Sequence, residues 1–227
     1  NPKLKAILVN NFGGINVASL EPLSDEHFDI LLRFAKVFDL TYTRFNDLKQ
    51  AEAQAREAQI EAALERVRSR TMAMHKTSEL QEVIHTVHHE LLNLNLSIDG
   101  GSFVVINEDI VPELRCWGSG GTANTSEEVL VPHFNMPFCT NLMTGIKNGP
   151  GFFTEEFSQR EKKEYFTKIF KHKPWSDLSS EQKKITLSSL GGYARSVAVS
   201  KHTSIFIINH QGRKFIESED GILKRFA

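Results

Sequence analysis

The stretch that decides the architecture is Ser24–Arg70, SDEHFDILLRFAKVFDLTYTRFNDLKQAEAQAREAQIEAALERVRSR, which contains neither Gly nor Pro. From Asp47 onward it is almost entirely Ala, Glu, Gln, Arg, Lys and Leu, the residues that lose least on entering a helix. Apolar residues recur at Leu31, Phe34, Phe38, Phe45 and Leu48, and Ala55 and Ala62 continue the line. A second line runs through Ile60, Leu64, Val67, Thr71 and Met74. Alternating steps of three and four make a coiled-coil seam. One helix of this length would extend roughly 70 Å at 1.5 Å per residue, so it is expected to seek a partner along its seam. The polar, Ala-rich middle argues against an ordinary core helix, since it offers little to bury on more than one side. The two lines are out of register, so the seam is expected to rotate near residues 52–60.

Outward from this helix, the chain is short of extremes. Its 227 residues suffice for one globular domain plus an extended element. A net charge of −1 gives no field favouring nucleic acid or an acidic membrane. Two cysteines, Cys116 and Cys139, are too few for a disulfide-stapled fold or a Cys-rich zinc site. A reducing, cytoplasmic setting is therefore expected. No apolar run approaches the roughly 20 residues of a membrane span. Asn1 is not a start residue, and the chain is expected to be a piece of a longer protein.

Before the helix, Ala6–Val9 and Ile15–Ala18 read as two strands around the Phe12-Gly13-Gly14 turn, a hairpin. The C-terminus repeats this beginning. Ser204–Gly212 (SIFIINHQG) matches Ala6–Gly13 (AILVNNFG), with Asn209 on Asn10 and Gly212 on Gly13. Ile222–Ala227 (ILKRFA) then matches Ile30–Ala35 (ILLRFA), the offset changing from 199 to 192. A strand, a turn and a helix start thus occur twice, as in a tandem array. Residues 1–23 are expected to be the tail of a preceding module, 24–76 a linker helix and 77–227 a globular domain. The N-terminal hairpin is expected to pair with its copy in a second chain or with another sheet edge.

Beyond Met74 a joint is expected, with Ser78-Glu79-Leu80-Gln81 as a capping box. Leu80, Ile84, Val87, Leu91 and Leu94 form one apolar helix face. Strands are expected at Ser102–Ile106, Glu113–Trp117, Glu128–His133, Phe152–Thr154, Arg195–Val199 and Ser204–Asn209, with Lys214–Ile216 as an edge strand. Gly118–Thr125 reads as a flexible loop. Helices are expected at Pro137–Lys147, Ser158–Lys171, Ser179–Leu190 and from about Ser218.

This order of one helix, three strands, a helix-rich excursion and two closing antiparallel strands resembles a GAF-type sensor domain. Phe34–Gln59 (FAKVFDLTYTRFNDLKQAEAQAREAQ) and Glu57–Val83 (EAQIEAALERVRSRTMAMHKTSELQEV) resemble linkers between tandem GAF-like modules of multi-domain bacterial signalling proteins. Gly151–Phe166 (GFFTEEFSQREKKEYF) and the SIFIIN strand fit the module body. The resemblance implies an α+β fold, a GAF-like antiparallel sheet flanked by helices, preceded by the long coiled-coil helix and the N-terminal hairpin. It implies a sensory and dimerisation region, not itself an enzyme, that relays a ligand- or partner-dependent state to a histidine kinase or an adenylate or guanylate cyclase, as in two-component signalling. The cyclic-nucleotide signature of asparagine, lysine, phenylalanine, aspartate and glutamate known from some GAF domains is absent, so the ligand and any cofactor remain unknown. By the same resemblance a pocket would lie between the sheet and the Pro132–Gly192 excursion. Cys116, Trp117, His133, Phe152, Tyr193 and Arg195 are its expected wall. The expected dimer seam comprises Leu31, Phe34, Phe38, Phe45, Leu48, Ala55, Ile60, Leu64, Val67 and Met74. The expected partners are a second copy and a small molecule, with neither nucleic acid nor membrane.

Two other functions deserve weight. The module could be a dimerisation spacer that binds nothing. It could also be a metal-dependent enzyme: His85, His88 and His89 share a helix, and His85 and His89 are one turn apart, a spacing that suits one metal. Polar positions on an amphipathic helix account for the three histidines equally well. Cys116 and Cys139 lack a chromophore-attachment motif, and Gly118–Gly121 lacks the Lys-Ser/Thr of a phosphate loop. No nucleophile elbow stands out.

Overall fold

Helix α1 spans Asp25–Met72, 48 residues in length. Ser24 caps it: its Oγ accepts from the His27 N–H at 3.3 Å, while its own N–H donates to His27 Nδ1. Asp25 and Glu26 in the first turn and Arg70 in the last complement the helix dipole. The computed structural model describes residues 4–10, 12–76, 79–107, 113–120 and 123–227. These form two units, Asn1–Gln59 and Ile60–Ala227.

In the first unit β1 (Leu4–Asn10) and β2 (Gly13–Ser19) pair antiparallel, from Leu4 opposite Ser19 to Asn10 opposite Gly13. Phe12 packs on Tyr42 of α1 with ring centroids 4.8 Å apart, and Tyr42 also meets Phe38 and Phe45. Ala35 is buried, whereas Phe34, Phe38, Phe45 and Leu48 are exposed.

The second unit is an α+β sandwich around a six-stranded antiparallel sheet. The strands are β3 (Gly101–Ile106), β4 (Leu114–Gly120), β5 (Ala123–Val131), β6 (Gly151–Phe157), β7 (Tyr193–Val199) and β8 (Thr203–Asn209), in the order β5-β4-β3-β8-β7-β6. The two last strands therefore lie inside the sheet, which explains their near-continuous apolar sequences: every residue of β7 is buried.

Each face of the sheet supports its own core. On one side the end of α1, α2 (Leu80–Asn93) and α6 (Glu217–Phe226) supply Ile60, Leu64, Leu91 and Leu223 against Ala194, Ala198 and Ile207. Ion pairs ring this layer. Arg66 grips Glu90 with two hydrogen bonds of 2.7 Å, and Arg70–Glu82 and Arg225–Glu61 add to it. On the other side lie α3 (Pro137–Lys147), α4 (Gln159–Ile169), a 3-10 turn at Trp175–Asp177 and α5 (Ser180–Ser188). Ser158 and Ser179 open α4 and α5 through capping boxes with Glu161 and Gln182.

Several expectations are revised. Ile60 and Leu64 are buried in the core of their own unit and Val67 packs on it, so those three positions of the expected seam are already covered. Their three-four spacing marks an apolar face; it does not say which surface meets it. Within the expected Gly118–Thr125 loop, Gly118–Gly120 and Ala123–Thr125 are strand, because β4 continues to Gly120 and β5 starts at Ala123. Its glycine serves packing: a Cβ at Gly118 would come within 2.4 Å of the Phe103 ring. Lys214–Ile216 forms no strand. Its neighbourhood spends its N–H groups on side chains instead, Gln211 and Arg213 donating to Asn209 Oδ1 and Ile216 to Glu219 Oε2. α1 ends at Met72 and α2 begins at Leu80; the expected Ser78 cap lies outside the described residues.

Candidate ligand cavity

Residues alternate across a strand, so every second side chain of β7 and β8 points toward the α3–α5 layer. Tyr193, Arg195 and Val197 face that side, as do Phe206 and Ile208. Between these strands and the helices lies a cavity of about 570 Å³. Its wall is mostly apolar and rich in rings. Phe103 stacks on Phe206 at 5.1 Å, and Phe138 on Tyr165 at 3.9 Å.

The main polar feature is Arg195, 2% exposed. Its Nε donates to Glu155 Oε2 at 2.7 Å, from the directly opposite position on β6. Nη2 also lies against Oε2. That second approach is a charge contact without hydrogen-bond geometry, because Nη2 has no hydrogen-bond partner. The guanidinium carbon sits 5.2 Å from the ring centres of both Phe138 and Phe157, a desolvated cation–π arrangement. Tyr193 adjoins it, and burial raises the phenols of Tyr193 and Tyr165 above their ordinary range. Both hydroxyls are therefore neutral hydrogen-bonding groups at physiological pH.

His210 closes one end of the cavity, edge-on to Phe166 and Tyr193. Its backbone N–H donates to Asp99 Oδ1 at 2.5 Å, and its Nδ1 is buried without a partner. Behind the wall, Lys162 is 1% exposed and gives its ammonium to two neutral acceptors, Ser189 Oγ at 2.6 Å and the His210 carbonyl at 2.5 Å.

Burial pushes His210 down to about 4. An unfolded histidine takes its proton near 6.5. Between those values the unfolded chain binds more protons than the folded one, so stability falls as pH falls through this window. The expected contribution is about 2 kcal/mol, allowing for partial exposure. His210→Phe, which keeps a ring beside Phe166, should lose less stability than the wild type between pH 6.5 and 4. Urea unfolding at a series of pH values reads the difference directly; parallel curves would mean that His210 does not titrate on unfolding.

Of the six residues expected from the sequence, Cys116, His133, Tyr193 and Arg195 line the cavity, His133 at an exposed rim position. Trp117 and Phe152 do not. Trp117 follows Cys116 on β4 and so faces the opposite side. Phe152 packs with the α1–α2–α6 layer, under the Lys224 ammonium at 4.2 Å. Phe138, Tyr165, Phe166, His210 and the Glu155 partner were not legible as a group, since they come from three elements and the turn after β8. The alternation of Phe206 and Ile208 with Ile205 and Ile207 was their clearest sequence signal.

Neither thiol is poised for chemistry. Burial pushes Cys116 up to about 12 and raises Cys139, so both remain protonated and poorly nucleophilic. The three helix histidines separate. His85 and His89 bring Nε2 atoms within 3.1 Å at the surface, whereas His88 turns inward to Ser102 Oγ at 2.9 Å. Burial lowers the His88 pKa, with His89 and His85 adding to the effect. Among the described residues no group of three His, Cys, Asp or Glu is placed to hold a metal ion. No helix among them is long and apolar enough to cross a membrane.

No protein-family model matches the chain, and comparison with curated proteins gives no significant match.

Proposed function

We propose that Ile60–Ala227 is a GAF-like sensor module of a dimeric bacterial signalling protein, which passes its ligand-dependent state through α1 to an output domain such as a kinase or cyclase. The observation that carries this is the cavity. An aromatic chamber of about 570 Å³ with one buried guanidinium has the size and make-up of a small-molecule site. The opposite face of the same sheet supports the α1, α2 and α6 layer. Adjacent residues of β7 meet the two sides: Arg195 lines the cavity, and Ser196 donates to Asp220 of α6 at 2.7 Å. A ligand that fits one arrangement of this sheet better than another would bias the helices by that difference in affinity.

The dimer is assigned to the half-buried Leu31 and the exposed Phe34, Phe38, Phe45 and Leu48 of the seam. An apolar line of this kind on a long helix is matched by a second copy of itself. Native mass spectrometry tests both halves. The expected result is a dimer carrying a small-molecule mass that leaves on denaturation, and a monomer for the Phe38→Glu, Phe45→Glu double variant. A wild-type dimer without adduct would favour a dimerisation spacer. A wild-type monomer, or a variant that stays dimeric, would exclude this line as the interface.

A further inference from the structure

Resting on the sensor reading, the charge and shape of the cavity narrow its ligand. Two buried cations stand on this side of the sheet, Arg195 in the wall and Lys162 behind it, and both are at least 98% buried. One carboxylate, Glu155, faces Arg195 at the sheet edge. Asp99 is exposed at the rim, where water screens it. The hydrogen bonds of Lys162 among the described residues go to neutral oxygens, and Asp99 acts on it from the rim by charge alone. Among the described residues the groups buried on this side thus carry an excess of one positive charge, and the Arg195 guanidinium stands in the cavity wall.

An unpaired buried cation is costly. A single negative charge from a ligand would balance it, whereas a phosphate dianion would overshoot. The fork of a guanidinium matches the two oxygens of a planar carboxylate. The remaining wall, with Phe103 stacked on Phe206 and Phe138 on Tyr165, accepts an apolar body. We infer that the cavity binds an apolar monocarboxylate, an aromatic or medium-chain acid, with its carboxylate against the Arg195 guanidinium.

Isothermal titration calorimetry at pH 7 tests this with two acids, 2-naphthaleneacetate and octanoate, each against the alcohol of the same skeleton. The expected result is that at least one acid binds, at least about tenfold tighter than its alcohol. The Arg195→Leu, Glu155→Leu double variant removes the pair together, and should lose that preference while keeping the alcohol's affinity. Lys162→Met, outside the wall, should cut the preference about threefold or more through the field alone, and serves if the double variant does not fold. Equal binding of acid and alcohol would overturn the carboxylate while leaving a ligand cavity standing. So would a preference that survives both variants. No binding of any of the four compounds would overturn the carboxylate inference and count against the sensor reading as well.

Discussion

Arg195→Leu is expected to lower the free energy of unfolding by about 3–5 kcal/mol, the usual cost of leaving a buried charge without its partner. The stranded group is Glu155, whose side chain is 13% exposed and whose Oε2 would lose the 2.7 Å bond from Nε. The rings of Phe138 and Phe157 also lose the cation lying 5.2 Å from each. Adding Glu155→Leu should recover most of the loss, because a leucine pair of similar volume needs no desolvation of charge. Urea unfolding with unchanged slope would measure both. If the single and double variants were equally unstable, packing around Arg195 rather than its charge would be the source.

Leu223→Ala is the second large effect, about 2–5 kcal/mol. Leu223 on α6 is wholly buried, and it packs in one cluster with Ala194, Ala198 and Ile207 of the sheet. Those alanines let the helix lie close, so little nearby can collapse into the space a lost isobutyl group leaves. Leu190→Ala, at a side chain 92% exposed, should change stability by no more than about 0.5 kcal/mol. Equal effects at the two leucines would mean that α6 is not packed on the sheet in solution.

Local pattern carried most of the secondary structure. Pro at the first position of α3, the serine caps of α4 and α5, and the apolar runs of β7 and β8 are signals contained within a few residues. Failures came where the deciding partner is distant in sequence. Gly118 reads as loose until Phe103 is laid over it. Lys214–Ile216 reads as extended until Asn209 and Glu219 claim the backbone around it. Ile60, Leu64 and Val67 read as a seam for another chain because periodicity does not reveal that Leu91 and Leu223 share their cluster. The cavity was legible in the same partial way. Strand alternation separates Cys116 from Trp117, but Phe152 and Glu155 can be assigned to faces only once the register of β6 against β7 is known, with Phe152 opposite Ala198 and Glu155 opposite Arg195.

That same register has a bearing on aggregation. β6 is an outermost strand of the sheet, with one row of backbone groups unsatisfied by a neighbour. A further strand joining there would cover Glu155 more deeply, and Arg195 is already engaged from the other side. A carboxylate turned inward on a border strand is a known deterrent to such growth. The pair that furnishes the cavity with its cation therefore also guards the β6 border against a further strand.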